Sequence, residues 1–600
     1  MTDQPALLRP DDHADRAPGS TAVVVPATGK RISYRVMVDR SKQLANVFRK
    51  HGLRPGDHVA ILMANVPEYF EVVWAARRAG FFYTAINWHL TPGEVRYMLE
   101  NSESKALIVS AGLADVAARA ARGLPELTLR LLIGARRPGW EDYADAVGKA
   151  GTIPLGPELE GQAMLYSSGT TGRPKGIIHT AVDPNRRFGD VAGDILWVNR
   201  YGLDSRSVSL TVGPLYHAAP LVSAMATHRH GGTVVLLPKF DAEETLKAIE
   251  KYRVTHVQFV PTMFIRLLRL PEEVRRRYDV SSLRAVAHSA APCPVEVKRQ
   301  MIEWFGPVIY EYYSATEAAG HVSIGSAEWL EHPGSVGRVA PGSVAITDES
   351  GRELPPGEDG IIWFTRPASK FSYHGDPEKS ASMFNDKGWA RMGDIGHLDS
   401  DGYLYISGRS DHTIISGGVN IYPREIEDLL IGHPAVDDVA VIGVPDDEYG
   451  ESVKAVVTLR DGHSPSPALE RDIIDWTRER LAHYKCPKSV TFAGSLPRSA
   501  VGKMMKHRLI EHLTPAPRES NEPRAAREPA RSRTGRQEGA VPAHGDDARR
   551  PGRACLCGPP GRSATAVPSV ASAHPTAPAE GAPSSPRAGA PMVGTSLPGA

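Results

Sequence analysis

Cysteine is almost absent from this chain. Its four copies, Cys293, Cys486, Cys555 and Cys557, form neither a disulfide framework nor a four-ligand metal spacing. That excludes a stapled secreted scaffold and suits a reducing compartment. Cys555-Leu-Cys557 has no nearby histidine and is read as incidental. Long apolar runs are missing too: no stretch of eighteen apolar residues occurs, so no spanning helix is expected. Met1 to Ser20 is polar, rich in Asp, Arg and Pro, and lacks the apolar core of a signal peptide. Nor is there a surplus of charge. A formal net charge of +1 gives no electrostatic argument for nucleic acid or an anionic membrane. The expectation is a soluble, cytoplasmic protein that binds no nucleic acid. Peripheral membrane contact and the oligomeric state, a homodimer included, are left open.

What is present is chain enough for several domains, roughly three to five for 600 residues, and an ordinary apolar share of 41%. Everything is organised around Tyr166-Ser-Ser-Gly-Thr-Thr-Gly-Arg-Pro-Lys-Gly176. Glycines allow positive φ and close backbone approach, so successive N–H groups can converge on an anion. Ser167, Ser168, Thr170 and Thr171 add hydroxyl donors, and Arg173 and Lys175 add charge that suits phosphate. The apolar run from Gln162 predicts a strand leading into this loop. It is not a P-loop, because Pro174 precedes Lys175 and Gly176 follows it. A Gly/Ser/Thr-rich turn with no ligand is the plainer reading.

Before the loop, helical periodicity over Ile32 to His51 and Val66 to Arg78 alternates with apolar strands at Val59–Met63, Phe81–Ile86 and Ala106–Ser110. After it, strands are predicted at Thr233–Leu237, His256–Val260, Leu283–His288 and Val308–Tyr310, with helices at Asp241–Tyr252 and Pro294–Phe305. This alternation means βαβ units and a largely parallel sheet. From Val336 short strands and Gly/Pro/Asp turns point to a small antiparallel subdomain, and a new pattern begins near Asp411. The fold class is therefore α/β: a large N-terminal domain of mainly parallel βαβ sheets plus an antiparallel subdomain, then a small α+β C-terminal domain. The boundaries are a flexible N-terminus at 1–20, a first domain at 21–408, a second at 411–513 and a tail at 514–600. Thr514 to Ala600 has no Phe, Tyr or Trp. It cannot bury enough apolar surface to offset its ordering entropy, so disorder is expected there.

The loop has company. Tyr310-Glu-Tyr-Tyr-Ser-Ala-Thr-Glu317, Gly388-Trp-Ala-Arg-Met-Gly-Asp394, Gly408-Arg-Ser-Asp411 and Pro497-Arg-Ser-Ala-Val-Gly-Lys503 follow it in fixed order. The set resembles the adenylate-forming superfamily, which includes acyl-CoA synthetases, carrier-protein-loading adenylation domains and beetle luciferases. The resemblance spans about residues 20–513. It implies that a carboxylate attacks the α-phosphate of ATP to give acyl-AMP and pyrophosphate, after which a thiol displaces AMP. It also implies that the C-terminal domain is mobile and rotates about a hinge between these half-reactions.

By that resemblance, Ser167, Ser168, Gly169, Thr170, Thr171, Gly172 and Lys175 would hold the terminal phosphates. Thr316 would meet the α-phosphate, and Glu317, with Thr170 nearby, would hold Mg2+, since a hard cation wants oxygen ligands. Tyr313, with Tyr312 beside it, would stack on adenine, whose other face would lie along Ala290, Ala291 and Pro292. Asp394 would accept the ribose hydroxyls, Arg409 would reach the nucleotide, and Asp411 would be the hinge. Lys503 would bridge the carboxylate and α-phosphate. Gly417 and Gly418 would let the pantetheine arm of coenzyme A pass. His217 would orient or deprotonate the thiol; a structural role lining the tunnel has equal weight. Ser314, Ala390 and Ile415 depart from the usual pattern at peripheral positions.

The implied pocket walls, including Ala218, Ala219, Ala290, Ala291, Ala318 and Gly320, are small. A medium or long fatty acid, or a bulky steroid- or aryl-type acid, is expected to be joined to coenzyme A. The alternatives are an enzyme that loads a carrier protein, and an ATP-binding scaffold without catalysis.

Overall fold

The computed structural model describes residues 8–167, 174–179, 183, 185–190, 196–368, 370–416, 419–446, 449–498 and 504–513. The tail at 514–600 lies outside them. Helices start where the sequence supplies caps. Ser33 accepts from the Val36 amide at the head of Tyr34–Lys50, Asp241 caps Ala242–Tyr252, and Thr91 with Glu94 forms a capping box before Pro92–Asn101. Each then buries its apolar face against a sheet.

Two sheets dominate the N-terminal part. One has six strands, all parallel, in the order Glu141–Asp142, Leu129–Ile133, Ser104–Ser110, His58–Leu62, Phe82–Ala85, Gln162–Ala163. The other has eight, in the order Val322–Gly325, Ile309–Tyr313, Ala285–His288, His256–Phe259, Val208–Thr211, Thr233–Leu236, Thr21–Val25, Lys30–Ser33. Its inner strands run parallel and its two edges are antiparallel. The antiparallel subdomain is a five-stranded sheet ordered Ser335–Arg338, Tyr403–Arg409, Ala390–Leu398, Gly360–Phe364, Val344–Thr347. The C-terminal part pairs Val436–Asp446 antiparallel with Gly450–Leu459 and packs helix Pro423–Leu430 against Val436–Asp446. The α/β class expected from the sequence is what forms.

Two expectations change. The run from Gln162 to Tyr166 is not one strand. Gln162–Ala163 joins the six-stranded sheet, whereas Leu165–Ser167 pairs with Lys175–His179 in a separate three-stranded sheet. Buried Met164 is the switch between them. The N-terminus also becomes structured before Ala22. Pro10–Arg16 is helical, with proline at its first turn, because its acids meet a buried cation. Arg78 is fully buried; its guanidinium takes Asp11 at 2.7 Å and Glu158 at 2.6 Å and donates to Ser41. Composition alone read this stretch as polar and flexible, and the partner it needs lies 67 residues away.

That pair sets a test. Burial would raise the Asp11 carboxyl, but Arg78 and Lys42 outweigh it and hold the group down from 3.8 to about 2. A depressed carboxyl stabilises the fold above pH 4 and loses that contribution as pH falls through 2. Asp11→Asn is expected to cost about 2 kcal/mol at pH 7, with the deficit narrowing between pH 4 and 2. Urea unfolding at several pH values checks this; a deficit that does not narrow would remove the ion pair as its source.

Candidate functional site

Parallel open sheets present their ligand sites beyond the carboxyl ends of the strands. In the eight-stranded sheet, Ala285–His288 runs out into Ser289, Ala290, Ala291 and Pro292, and Ile309–Tyr313 runs out into Ser314 to Glu317. Four non-glycine residues among those described have positive φ, and two of them are here: Ala290 at 74° and Ala318 at 50°. An L-residue held in the left-handed region is strained, and strain of this kind gathers at functional sites. Ala290 and Pro292 are exposed and Ala291 is half-buried, so this segment offers a solvent-facing edge.

Tyr313 and Asp394, far apart in sequence, meet. The Tyr313 hydroxyl donates to Asp394 Oδ2 at 2.6 Å, and the Tyr313 ring lies offset on Phe364, 6.1 Å between centroids. Burial and the neighbouring carboxylate push the Tyr313 hydroxyl well above its ordinary pKa, so it stays a donor. Asp394 and Arg409 are cross-strand partners. Arg409 Nη1 donates to Met392 O at 2.9 Å and approaches Asp394 Oδ1 at 3.3 Å. Gly393, at φ 82°, permits this: a Cβ there would stand 3.1 Å from the Arg409 guanidinium. Asp394 thus engages protein donors through both oxygens, which the sequence reading did not anticipate. Tyr312, on the opposite side of the strand from Tyr313, stacks on His321 with centroids 5.3 Å apart. Ser314 donates to Gly320 O at 2.8 Å and closes the turn.

A second group gathers at Glu317. Its buried carboxylate accepts from the Tyr373 hydroxyl at 2.9 Å. Burial draws His179 below its ordinary pKa against the pull of nearby Glu317, and a hydrogen bond ties His179 to the Thr316 backbone. Lys175 shares its strand with His179. Its ammonium pairs with Asp376 at 2.6 Å and lies 5.7 Å from the Tyr373 ring centre. Sequence reasoning missed His179, Tyr373 and Asp376. Asp376 is legible as the cap of helix Pro377–Ser382, but its pairing with Lys175 spans 201 residues.

His217 stands at the N-cap of Ala218–Arg229, its ring 4.4 Å from that of Tyr216. Just beyond it Val222 is 44% exposed on an otherwise buried helix, and Ala218 and Ala219 are half-buried, so an apolar collar faces out. Asp411 lies in the short turn Ser410–His412 between the strand Tyr403–Arg409 and the C-terminal part. Ser168, Gly169, Thr170, Thr171, Gly172, Gly417, Gly418 and Lys503 lie outside the described residues, as do the side chains of Ser167 and Asp411. The flanks of the Lys503 segment pair, Arg498 bridging to Met504.

Beneath the strand Ile309–Tyr313 sits a buried charge pair. Lys298 Nζ meets Glu311 Oε2 at 2.6 Å, with His288 Nε2 at 3.7 Å. Burial works against the Glu311 carboxylate, but Lys298 outweighs it and keeps the group ionised below its ordinary range.

The AMP-binding enzyme family model matches residues 10–373, and the model of the AMP-binding enzyme C-terminal domain matches residues 425–503. A feruloyl-CoA synthase of Amycolatopsis is 37% identical over 508 residues, covering 83% of this chain and 96% of the relative. A long-chain-fatty-acid–CoA ligase of Mycobacterium tuberculosis is 32% identical, with the same coverage. Among solved structures, an anthranilate CoA ligase in complex with anthranoyl-AMP superposes with a TM-score of 0.75 at 28% identity, covering 86% of this chain and 98% of that one.

The charge pair under the site gives a prediction independent of any chemistry. Glu311→Gln leaves Lys298 buried and uncompensated and is expected to cost about 3–5 kcal/mol. Glu311→Leu combined with Lys298→Met should recover most of that loss. Urea midpoints of the three proteins check it, and equal midpoints for the single and double variants would refute it.

Proposed function

The chain belongs to the AMP-binding enzyme family and is an acid–thiol ligase whose cofactors are ATP, Mg2+ and coenzyme A, and from that premise we propose that it activates a carboxylic acid with a sizeable apolar or aryl body. An acid oxygen attacks the α-phosphorus of ATP as the bond to the departing pyrophosphate breaks. The thiol sulfur of coenzyme A then attacks the acyl carbon, and AMP leaves with the bonding pair.

The observation that carries this reading is the Tyr313–Asp394–Arg409 constellation beside the strained, exposed edge at Ala290. An aromatic face, a carboxylate and a guanidinium side by side are what a purine riboside phosphate requires. Tyr313 would take the base. Asp394 would take the ribose hydroxyls, since a carboxylate can accept about four hydrogen bonds, and Arg409 would steady it. Thr316 would meet the α-phosphate.

Mg2+ suits the donor set. Among the described residues no cluster of three potential metal ligands occurs, and one buried carboxylate, Glu317, stands ready with Tyr373 orienting it. Mg2+ is held by one or two carboxylates plus phosphates and waters, and when bound it would neutralise charge developing on the phosphates. Lys175 would exchange Asp376 for phosphate oxygens, and Lys503 would neutralise charge between acid and α-phosphate. The apolar collar at Ala218, Ala219 and Val222 suits an acid with an apolar body, and His217 beside it would orient the thiol.

Two measurements test the proposal. Pyrophosphate release and acyl-CoA formation are read across acids of two to eighteen carbons, aryl acids and steroid acids, with and without coenzyme A. Release and thioester are expected together for one size class. Pyrophosphate without thioester would shift the acceptor to a carrier protein, and silence throughout would sink the ligase reading. Tyr313→Phe removes one hydrogen bond to a charged group and is expected to raise KM for ATP ~10-fold or more, leaving KM for the acid nearly unchanged. Equal effects on both KM values would refute a role for the Tyr313–Asp394 bond in holding the nucleotide.

A further inference from the structure

Resting on the ligase reading above, we infer that Asp376 is a positioning residue that acts through Lys175: it stands in for the terminal phosphates and loosens the hold on pyrophosphate, so that this product is released. Lys175 opens the strand Lys175–His179, which follows the Gly/Ser/Thr-rich motif, and its cross-strand partner is Ser167 on the motif's other flank. The ammonium of Lys175 therefore belongs to the base of that loop. There it donates to Asp376 Oδ2 at 2.6 Å, and both side chains are partly shielded, 22% and 34% exposed.

Asp376 is fixed in this place by contacts of its own. Its segment is tied to the strand that carries Lys175: Tyr373 is the cross-strand partner of Ile177, and the His374 amide donates to Gly176 O at 2.8 Å. Asp376 then starts the helix Pro377–Ser382, its Oδ1 accepting from the Lys379 amide at 3.0 Å and its carbonyl from Ser380 Oγ at 2.6 Å. One carboxylate oxygen caps the helix, and the other is left for Lys175. The bonds from Lys175 and from the Lys379 amide hold the Asp376 carboxyl below its ordinary range, so it is ionised at neutral pH. The same segment carries Tyr373, whose hydroxyl orients Glu317. The cation on the phosphate side and the carboxylate on the metal side are thus both set by one short stretch, Phe371 to Ser382.

A resident carboxylate changes what a phosphate gains on binding. The phosphate must displace Asp376 from Lys175, so entry exchanges one charged contact for another instead of adding one. Apparent affinity falls by the fraction of molecules in which Lys175 is free to bind. The effect reaches only ligands that use Lys175; AMP has no β- or γ-phosphate and escapes it. Interactions that hold substrate and product alike do not lower the barrier between them, and slow product release limits many enzymes. Asp376 weakens the grip on pyrophosphate while the nucleotide keeps its contacts at Tyr313 and Asp394. Pyrophosphate therefore leaves while the acyl-AMP stays.

The test titrates the full chain with pyrophosphate plus Mg2+ and, separately, with AMP, by calorimetry. Asn keeps the helix cap and removes the charge. Asp376→Asn is expected to tighten pyrophosphate about 5-fold, the scale of a partly exposed ion pair, and to leave AMP unchanged. Asp376→Ser, which also retains a cap, should do the same and carries the test if the first variant does not fold. In a Lys175→Met background, Asp376→Asn should lose most of its effect, because the group it frees is gone. Pyrophosphate unchanged or weakened by both Asp376 variants overturns the inference and leaves the ligase reading standing. So does an equal shift for AMP, a gain that is as large without Lys175 as with it, or a wild type that binds AMP but no pyrophosphate. A wild type that binds neither ligand overturns both.

Discussion

One hydrogen bond, from the Tyr313 hydroxyl to Asp394, joins two sheets that share no strand. Tyr313 closes a strand of the parallel sheet and Asp394 lies within the antiparallel subdomain. Everything proposed for the nucleotide follows from that junction. It faces the ring and the carboxylate toward one space, and through the Asp394–Arg409 cross-strand pair it reaches the turn that leads into the C-terminal part. A hydrogen bond to a carboxylate is among the stronger neutral-to-charged contacts, and burial keeps the hydroxyl from ionising.

Support for Tyr313 comes from its own face of the strand, one residue pair further back. Glu311 alternates with Tyr312 and points into the buried group formed with Lys298 and His288. Lys298 in turn lies 4.5 Å from the Trp329 ring centre. The charge of Arg424, on the first helix of the C-terminal part, is also felt at Glu311, and Arg424 itself donates to Ile406 O in the antiparallel sheet. Arg269 reaches across from the parallel sheet's side to Asp437, at 2.5 Å. The strand that bears Tyr313 is thus anchored by buried charges on the face opposite Tyr312.

Most of the architecture was legible because it rests on local rules. Apolar strands alternating with amphipathic, capped helices leave few options besides a parallel sheet, and Ser33, Thr91 and Asp241 mark helix starts within a residue. What escaped the sequence is long-range and polar. Asp11 looks like part of a flexible polar arm until Arg78 is found buried opposite it. Asp376 is visible as a helix cap but not as the partner of Lys175. The break at Met164 is invisible because both halves of the run are apolar and each suits a strand. Tyr313, Asp394, Thr316 and Glu317 could be named from resemblance alone, yet the hydroxyl-to-carboxylate bond between the first two could not.

The strained alanines explain why such a site needs so large a scaffold. Ala290 and Ala318 each hold a backbone conformation that costs of order 1 kcal/mol or more for a residue with a Cβ, and neither gains from its own side chain. Their neighbours compensate. Ser289 is held by Gln258, and Ala319 and Gly320 are locked against the antiparallel sheet, where a Cβ on Gly320 would overlap the Phe364 ring at 2.0 Å. Phe364 is the ring on which Tyr313 lies. Relaxing Ala318 would shift Gly320 against Phe364, and moving Phe364 would disturb Tyr313 and its bond to Asp394. Strain at the edge of the site and order at its centre are maintained by the same packing.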